Sequence, residues 1–329
     1  MACLIIAEMA NAHEGDFENA KLIVAAAAAG GADAVKFQVF SAEELAVPDF
    51  SHFDVYRKLE MRDDQWSELV ALAKEKGLKV YADVFGFAGA ELMNRLGVDG
   101  FMIHAADIQN APLLKVVGKY HKHTILSTAG SNAAEVKEAL AILEAAGAVS
   151  VLLMHGFQGY PTAMIDANLR RVRSLQLEFG RAVGFANHLD GGAPEAPYMA
   201  AWAMAAGADA VEVHLTLDRS KKGLDHLSSL DPAPFAEMVR LLRAAELAMG
   251  SPALELSTPE LTYRQGHRKV LISNRDIEVG DVLREEDLSY SRINNAPADP
   301  APSLGAAVGR RATEKVPRYS AVLERTLSS

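Results

Sequence analysis

Eight short β-branched or apolar runs alternate with eight amphipathic, Ala-rich segments, and this alternation constrains the fold more than any other feature. The runs are LIIAEM (4–9), AVKFQV (34–39), KVYADV (79–84), GFMIHA (100–105), HTILST (123–128), VSVLLMH (149–155), AVGFANH (182–188) and AVEVHL (210–215). Helical patterns lie near 17–29, 64–76, 87–96, 111–119, 132–146, 165–179, 194–206 and 233–249. Gly30-Gly31, Gly77, Gly97, Gly147, Gly207 and Gly250 follow helices, where glycine ends them most easily. Eight strand–helix units predict a closed (β/α)8 TIM barrel over residues 1–250. An open doubly wound sheet would ordinarily have fewer units and a Gly-rich first turn, and Ala7-Glu8-Met9-Ala10 is not one.

After Gly250 the pattern changes. Residues 251–267 read as a linker with a short helical stretch, and 268–329 as a small, mostly β domain of short segments and turns. Its end, VGRRATEKVPRYSAVLERTL, reads as two more strands joined by a turn. A unit of about 60 residues buries little surface by itself and is expected to dock on something.

The formal net charge is −10 and there is no Lys/Arg block, which argues against nucleic-acid and anionic-membrane partners. Cys3 is the only cysteine, so no intrachain disulfide forms and a reducing compartment is expected. The opening MACLIIAEMANAHEG has no basic segment before its short apolar run, and no run approaches the ~20 apolar residues of a spanning helix. A cytoplasmic protein is expected.

Barrel chemistry sits at the C-terminal ends of strands. Here those ends are polar in nearly every unit. The first carries Glu8, followed by Asn11 and His13; the second carries Lys36 and Gln38, two apart and on one face. Asp83 lies on the third, His104 and Asp107 on the fourth, Ser127 and Thr128 on the fifth, and His155 on the sixth. The seventh ends in Asn187-His188, and the eighth carries Glu212 and His214 on one face. Any one of these has an ordinary structural reading as a satisfied or half-exposed polar group. Their conjunction points to a site.

His188 and His214 end adjacent strands, so two neutral imidazoles can converge on one divalent ion, such as manganese or magnesium, leaving positions for substrate. Lys36 inside a barrel calls for an anionic partner. Glu8 is either a general base or hydroxyl ligand, or the buried salt-bridge partner of Lys36. Tyr160, in Gly159-Tyr160-Pro161-Thr162, either reaches over the barrel mouth or belongs to a plain turn, and Asp225 either holds a polar substrate or is a turn aspartate.

Several ordered segments resemble the sialic acid synthase family of nonulosonate synthases, which combine a (β/α)8 barrel with a C-terminal antifreeze-like (SAF) domain. They are IAEMANAHEGD, ADAVKFQVF, ILSTAGSNAAEV, GYPT, VGFANH, VEVHLTLDR, GLDHLSSLDP and the tail RKVLISNRDIEVGDVLREEDLSYSRI. The resemblance covers nearly the whole chain. It implies a metal-dependent condensation of phosphoenolpyruvate with an N-acylated amino sugar, in which the enol carbon attacks the open-chain aldehyde. By the same resemblance His188 and His214 match the metal ligands, and Glu8, Lys36 and Gln38 match active-site residues of the first two strands. Ser127 matches a donor contact, Tyr160 and Asp225 match sugar contacts, and Asp107 stands at an acidic position. Arg292 matches an arginine offered to a partner's barrel, which implies a domain-swapped homodimer, although Ile293 replaces the usual proline after it.

The departures cluster where the family holds phosphate. Met102 stands for a lysine, Ala105 and Ala186 for serines, and Asp83 for a threonine. Ala12 and Gln158 also replace asparagines. A charge-assisted hydrogen bond contributes roughly 1.5–3 kcal/mol, so losing several weakens phosphoenolpyruvate binding by orders of magnitude unless other groups, such as His104 or His155, compensate. Three functional readings are open. The first is a synthase joining a three-carbon keto-acid donor to a sugar-like aldehyde. The second is a phosphate-independent metal-dependent aldolase or lyase on the same fold. The third is a non-catalytic binding or scaffold homologue.

Overall fold

The computed structural model describes residues 2–294 and 302–328. The chain forms two compact units, Met1–Gly250 and Ser251–Ser329. In the first, eight parallel strands close into a barrel: β1 Leu4–Glu8, β2 Ala34–Val39, β3 Lys79–Val84, β4 Gly100–Ile103, β5 His123–Ser127, β6 Ser150–His155, β7 Val183–Asn187 and β8 Ala210–His214. Each strand pairs with the next, and β8 closes on β1 with His214 opposite Glu8.

The strands are apolar on both faces because helices cover the outside while side chains fill the inside. Outward residues such as Ile5, Phe37, Phe101 and Phe185 are fully buried against the helical layer. Burying one such side chain contributes roughly 1.5–3 kcal/mol. Inward residues form an apolar layer that includes Ile6, Tyr81, Met102, Ile125, Leu152 and Ala210. Toward the C-terminal strand ends the inner face turns polar, since residues two apart share a face: Ile6 leads to Glu8, Ala34 to Lys36, Tyr81 to Asp83 and Ala210 to Glu212. The apolar layer thus floors a polar one.

The connecting helices are Phe17–Ala29, Asp63–Glu75, Phe87–Arg95, Ala111–Gly118, Ala133–Ala146, Arg170–Phe179, Ala196–Ala205 and Pro232–Met249. Local chemistry sets their ends. Asn132 caps Ala133–Ala146 reciprocally with Glu135, and Gly147 stops it in the left-handed region at φ 105°.

Four expectations shift. The run 100–105 is extended only to Ile103, because His104 Nδ1 accepts the Ala106 N–H and turns the chain into a 3-10 turn, Ala105–Asp107. The helix expected from 165 begins at Arg170, since Asn168 adopts φ 47° after the 3-10 turn Met164–Asp166. Two further helices, Ala42–Leu45 and Phe53–Leu59, occupy the connection after β2.

The fourth concerns the second unit. It contains a helix Thr258–His267, the helical stretch expected within 251–267, and an antiparallel pair, β9 Val270–Ser273 with β10 Leu288–Ser291. Its core gathers Leu271, Ile277, Leu283, Val316 and Val322. The two strands expected near its end appear only as single bridges, among them Val282–Arg311 and Ala312–Leu327. Between these bridges the chain turns too often for a ladder. Among the described residues, no helix is long and apolar enough to cross a membrane.

Candidate active site

A cavity of about 380 Å3 opens at the C-terminal ends of the barrel strands. Its walls include Lys36, Gln38, Asp83, Ser127, His188 and His214.

Lys36 is 1% exposed, and its Nζ lies 2.8 Å from Glu8 Oε2, 2.7 Å from Glu212 Oε2 and 2.7 Å from Met102 Sδ. The register explains this meeting: Glu8 stands beside Lys36 on β1–β2, and closure of β8 onto β1 brings Glu212 alongside Ile6. Glu8 Oε1 also accepts the Ala10 N–H at 2.6 Å. Burial alone would raise the Glu212 carboxyl, but the charge and hydrogen bond of Lys36 hold it below its usual range. The buried salt bridge offered as one reading of Glu8 is therefore present, and a second carboxylate shares it. The sequence shows Glu212 on the same face as His214 but gives it no partner.

The imidazoles of His188 and His214 face each other, with Nε2 atoms 3.1 Å apart. The Nδ1 of His188 donates to the Ala186 carbonyl at 3.3 Å, which leaves its Nε2 lone pair toward His214. The Nδ1 of His214 is buried without a hydrogen-bond partner. Burial lowers both pKa values, and the neighbouring His188 pushes His214 down further. Phe157 packs edge-on against His188 at 4.8 Å between ring centroids. The His188 carbonyl is tied by the Thr162 N–H at 2.7 Å and the Ser228 Oγ at 2.9 Å.

Asp83 is fully buried, and neither carboxyl oxygen has a hydrogen-bond partner. Burial pushes its pKa up to about 7; Lys36 opposes this while Glu212 and Asp107 add to it. His104, whose ring lies 5.1 Å from that of Phe85, is lowered to about 4, first by burial and then by Lys36.

Gln38 accepts from Asn11 Nδ2 at 3.3 Å, and the Asn11 N–H donates to Asp225 at 2.9 Å. These bonds place Gln38 and Asp225 on one wall of the cavity. Tyr160 is 41% exposed beside His188, with ring centroids 6.4 Å apart, and burial together with Asp225 pushes its hydroxyl up to about 12.

Three further expected site residues remain. His155 shares the outward register of Val151 and Leu153, and its Nε2 lies 3.1 Å from the Ala167 carbonyl, so it braces the β6 loop while it also lines the cavity. Gly156 follows it at φ 140°, and a Cβ there would meet the Ala186 carbonyl at 2.1 Å. The chain can pass β7 at that point only as glycine. Asp107 lies outside the cavity lining and accepts from Asn110 Nδ2 at 2.7 Å, beside the N-terminus of Ala111–Gly118. Arg292 belongs to the second unit, where its Nε donates to the His267 carbonyl at 3.0 Å.

Residues 23–253 match the model of the NeuB family. The chain belongs to that family. Among its relatives is the N,N'-diacetyllegionaminic acid synthase of Campylobacter jejuni, 32% identical over 308 residues that cover 89% of this chain and 91% of the relative. The human N-acetylneuraminate-9-phosphate synthase is 28% identical over 336 residues, 98% of this chain and 92% of that one. Among solved structures, the N-acetylneuraminic acid synthetase of Leptospira borgpetersenii in complex with citrate superimposes with a TM-score of 0.75 at 26% identity, over 81% of this chain and 93% of that one. These two relatives are synthases by name, and this barrel shares the fold of the Leptospira synthetase.

Proposed function

We propose that this NeuB-family chain is a carbon–carbon bond-forming enzyme that joins a three-carbon keto-acid-type donor to a sugar-like aldehyde of the N-acylated amino sugar class. The observation that carries the reading is the convergence of the Glu8–Lys36–Glu212 cluster and the His188–His214 pair on one cavity at the catalytic face of the barrel.

In this reading His188 and His214 hold a divalent ion, manganese or magnesium. Their fit is supported by two buried, neutral imidazoles whose Nε2 atoms approach within 3.1 Å, with the His188 tautomer set by the Ala186 carbonyl. Among the described residues no cluster of three His, Cys, Asp or Glu is arranged to hold an ion, so substrate and water would complete the ligand set. An ion held there supplies Lewis acidity toward the aldehyde carbonyl.

The protein's own groups do the rest. Glu8 and Glu212 hold Lys36 rigidly at the floor, Gln38 and Ser127 orient the donor, and Asp225 with Tyr160 receives the hydroxyls of the acceptor. The phenol, raised to about 12, stays protonated and acts as a hydrogen-bond donor at neutral pH. In the same reading the enzyme is a cytoplasmic, domain-swapped homodimer with a SAF-like second unit, and the exposed Arg292 of one subunit serves its partner's barrel.

The test incubates the purified chain with manganese, a panel of N-acylated amino sugars and either phosphoenolpyruvate or pyruvate, and measures product mass. A product longer by three carbons, lost in His188→Ala and His214→Ala, is expected. Binding of sugars without product under any donor would leave a binding protein.

A further inference from the structure

Two features of the cavity bear on which donor it takes. Two N–H donors of Lys36 are taken within the protein, by Glu212 at 2.7 Å and the Met102 sulfur at 2.7 Å, and Glu8 is ion-paired with the same ammonium at 2.8 Å. Among the described residues lining the cavity, Lys36 is the one ammonium or guanidinium. Within this chain's own lining the one cation is thus already flanked by two carboxylates, while Asp83, Glu212 and Asp225 all line the wall. A phosphate group brings about −1.5 to −2 charges into that field, whereas a keto acid brings the single charge of its carboxylate.

The second feature is Asp83. Both of its oxygens are buried without a partner, yet the residue lines the cavity beside Met102, its register neighbour on β4. An unpartnered buried acid destabilises a fold. A ligand seated in the cavity supplies the partner that the protein does not.

We propose that the donor end of this cavity takes an unphosphorylated 2-keto acid of the pyruvate type, and that Asp83 accepts the proton its methyl carbon gives up. This rests on the bond-forming reading above and narrows its substrate class. The C3–H bond of the donor breaks and its proton moves to the Asp83 carboxylate. The electron pair left behind forms the new bond to the aldehyde carbon, and the aldehyde oxygen takes up a proton, returned from Asp83. The product is a 4-hydroxy-2-keto acid; nothing is oxidised or reduced, no phosphate leaves and no water is consumed. Lys36, held between its two carboxylates, stays a fixed positive charge near the enolate as it forms.

The test follows the methyl signal of pyruvate by proton NMR in deuterated buffer, with the full-length chain and magnesium and without any aldehyde. Exchange at least 10-fold faster than in protein-free buffer is expected, falling at least 10-fold in Asp83→Asn. Exchange at the buffer rate, or undiminished in Asp83→Asn, overturns the proposal. The first comparison uses the unaltered protein and decides whether or not the variant folds. Stoichiometric phosphate release from phosphoenolpyruvate with an aldehyde overturns this inference and leaves the bond-forming reading standing. Absence of both exchange and product with either donor removes the two together.

Discussion

The ammonium of Lys36 lies 2.7 Å from a carboxylate oxygen of Glu212, and both side chains are closed off from solvent. With Glu8 on the other side, the cluster carries one positive and two negative charges inside the barrel. Removing the cation leaves two buried carboxylates with nothing between them. Lys36→Met is therefore expected to destabilise the barrel unit by about 3–5 kcal/mol at pH 7, by urea unfolding. The deficit shrinks on acidification. In the wild type Glu212 is held below its ordinary value, so its contribution is present above the unfolded pKa and lost as pH falls through the folded one. The variant meanwhile relieves its own repulsion by protonation. A deficit independent of pH would contradict the pairing.

Asp83 behaves in the opposite sense. Its folded pKa is raised from 3.8 to about 7, so its contribution to stability is full below pH 3.8 and is lost as pH rises through 7. Asp83→Asn is expected to stabilise the protein at pH 8 by on the order of 3 kcal/mol relative to its effect at pH 4. Urea midpoints at the two pH values measure this, and an equal effect at both would mean that the carboxyl finds a partner in solution.

Manganese is expected to raise the melting temperature in proportion to site occupancy, by about 2.7 kcal/mol of stabilisation at one hundred times the dissociation constant. Either His188→Ala or His214→Ala abolishes the shift. Burial lowers both imidazoles from 6.5, so the lone pairs stay available and the shift persists at pH 6. Loss of half the effect at pH 6.5 would mean the histidines titrate as exposed ones.

In the proposed reading Asp225 and Tyr160 stand on the acceptor side. Asp225→Ala is expected to raise KM for the aldehyde by about 10- to 100-fold, the loss of one or two hydrogen bonds to a charged group. Donor proton exchange without aldehyde stays unchanged. Steady-state kinetics with varied aldehyde separates this from a general loss of structure, which would lower exchange as well.

The barrel was legible because parallel strands buried on both faces read as unbroken apolar runs, each ending where the inner face turns polar. The placement of Lys36, Gln38, Asp83, His188 and His214 on one cavity follows from counting by twos from those runs. The outward register of His155, which still reaches the cavity lining, is not legible in VSVLLMH, because its apolar residues fall on both faces and nothing marks which face is inward. The alternation of Leu152 and Met154 inside with Val151 and Leu153 outside appears only with the barrel closed. The Lys36–Glu212 pair joins residues 176 apart in sequence, and closure of β8 on β1 creates it. The helices Ala42–Leu45 and Phe53–Leu59 are too short to show a period, and Asn168 breaks a helical pattern through a left-handed φ that composition does not announce.

On the proposed reading, this cavity builds a carbon–carbon bond from a donor without phosphate. Equal amounts of uniformly 13C-labelled pyruvate and unlabelled phosphoenolpyruvate, mixed with one N-acylated amino sugar, magnesium and the enzyme, place the two donors in direct competition. Mass spectrometry of the product is expected to show three added carbons, all labelled, with no phosphate released. An unlabelled product accompanied by one phosphate per molecule would contradict the claim.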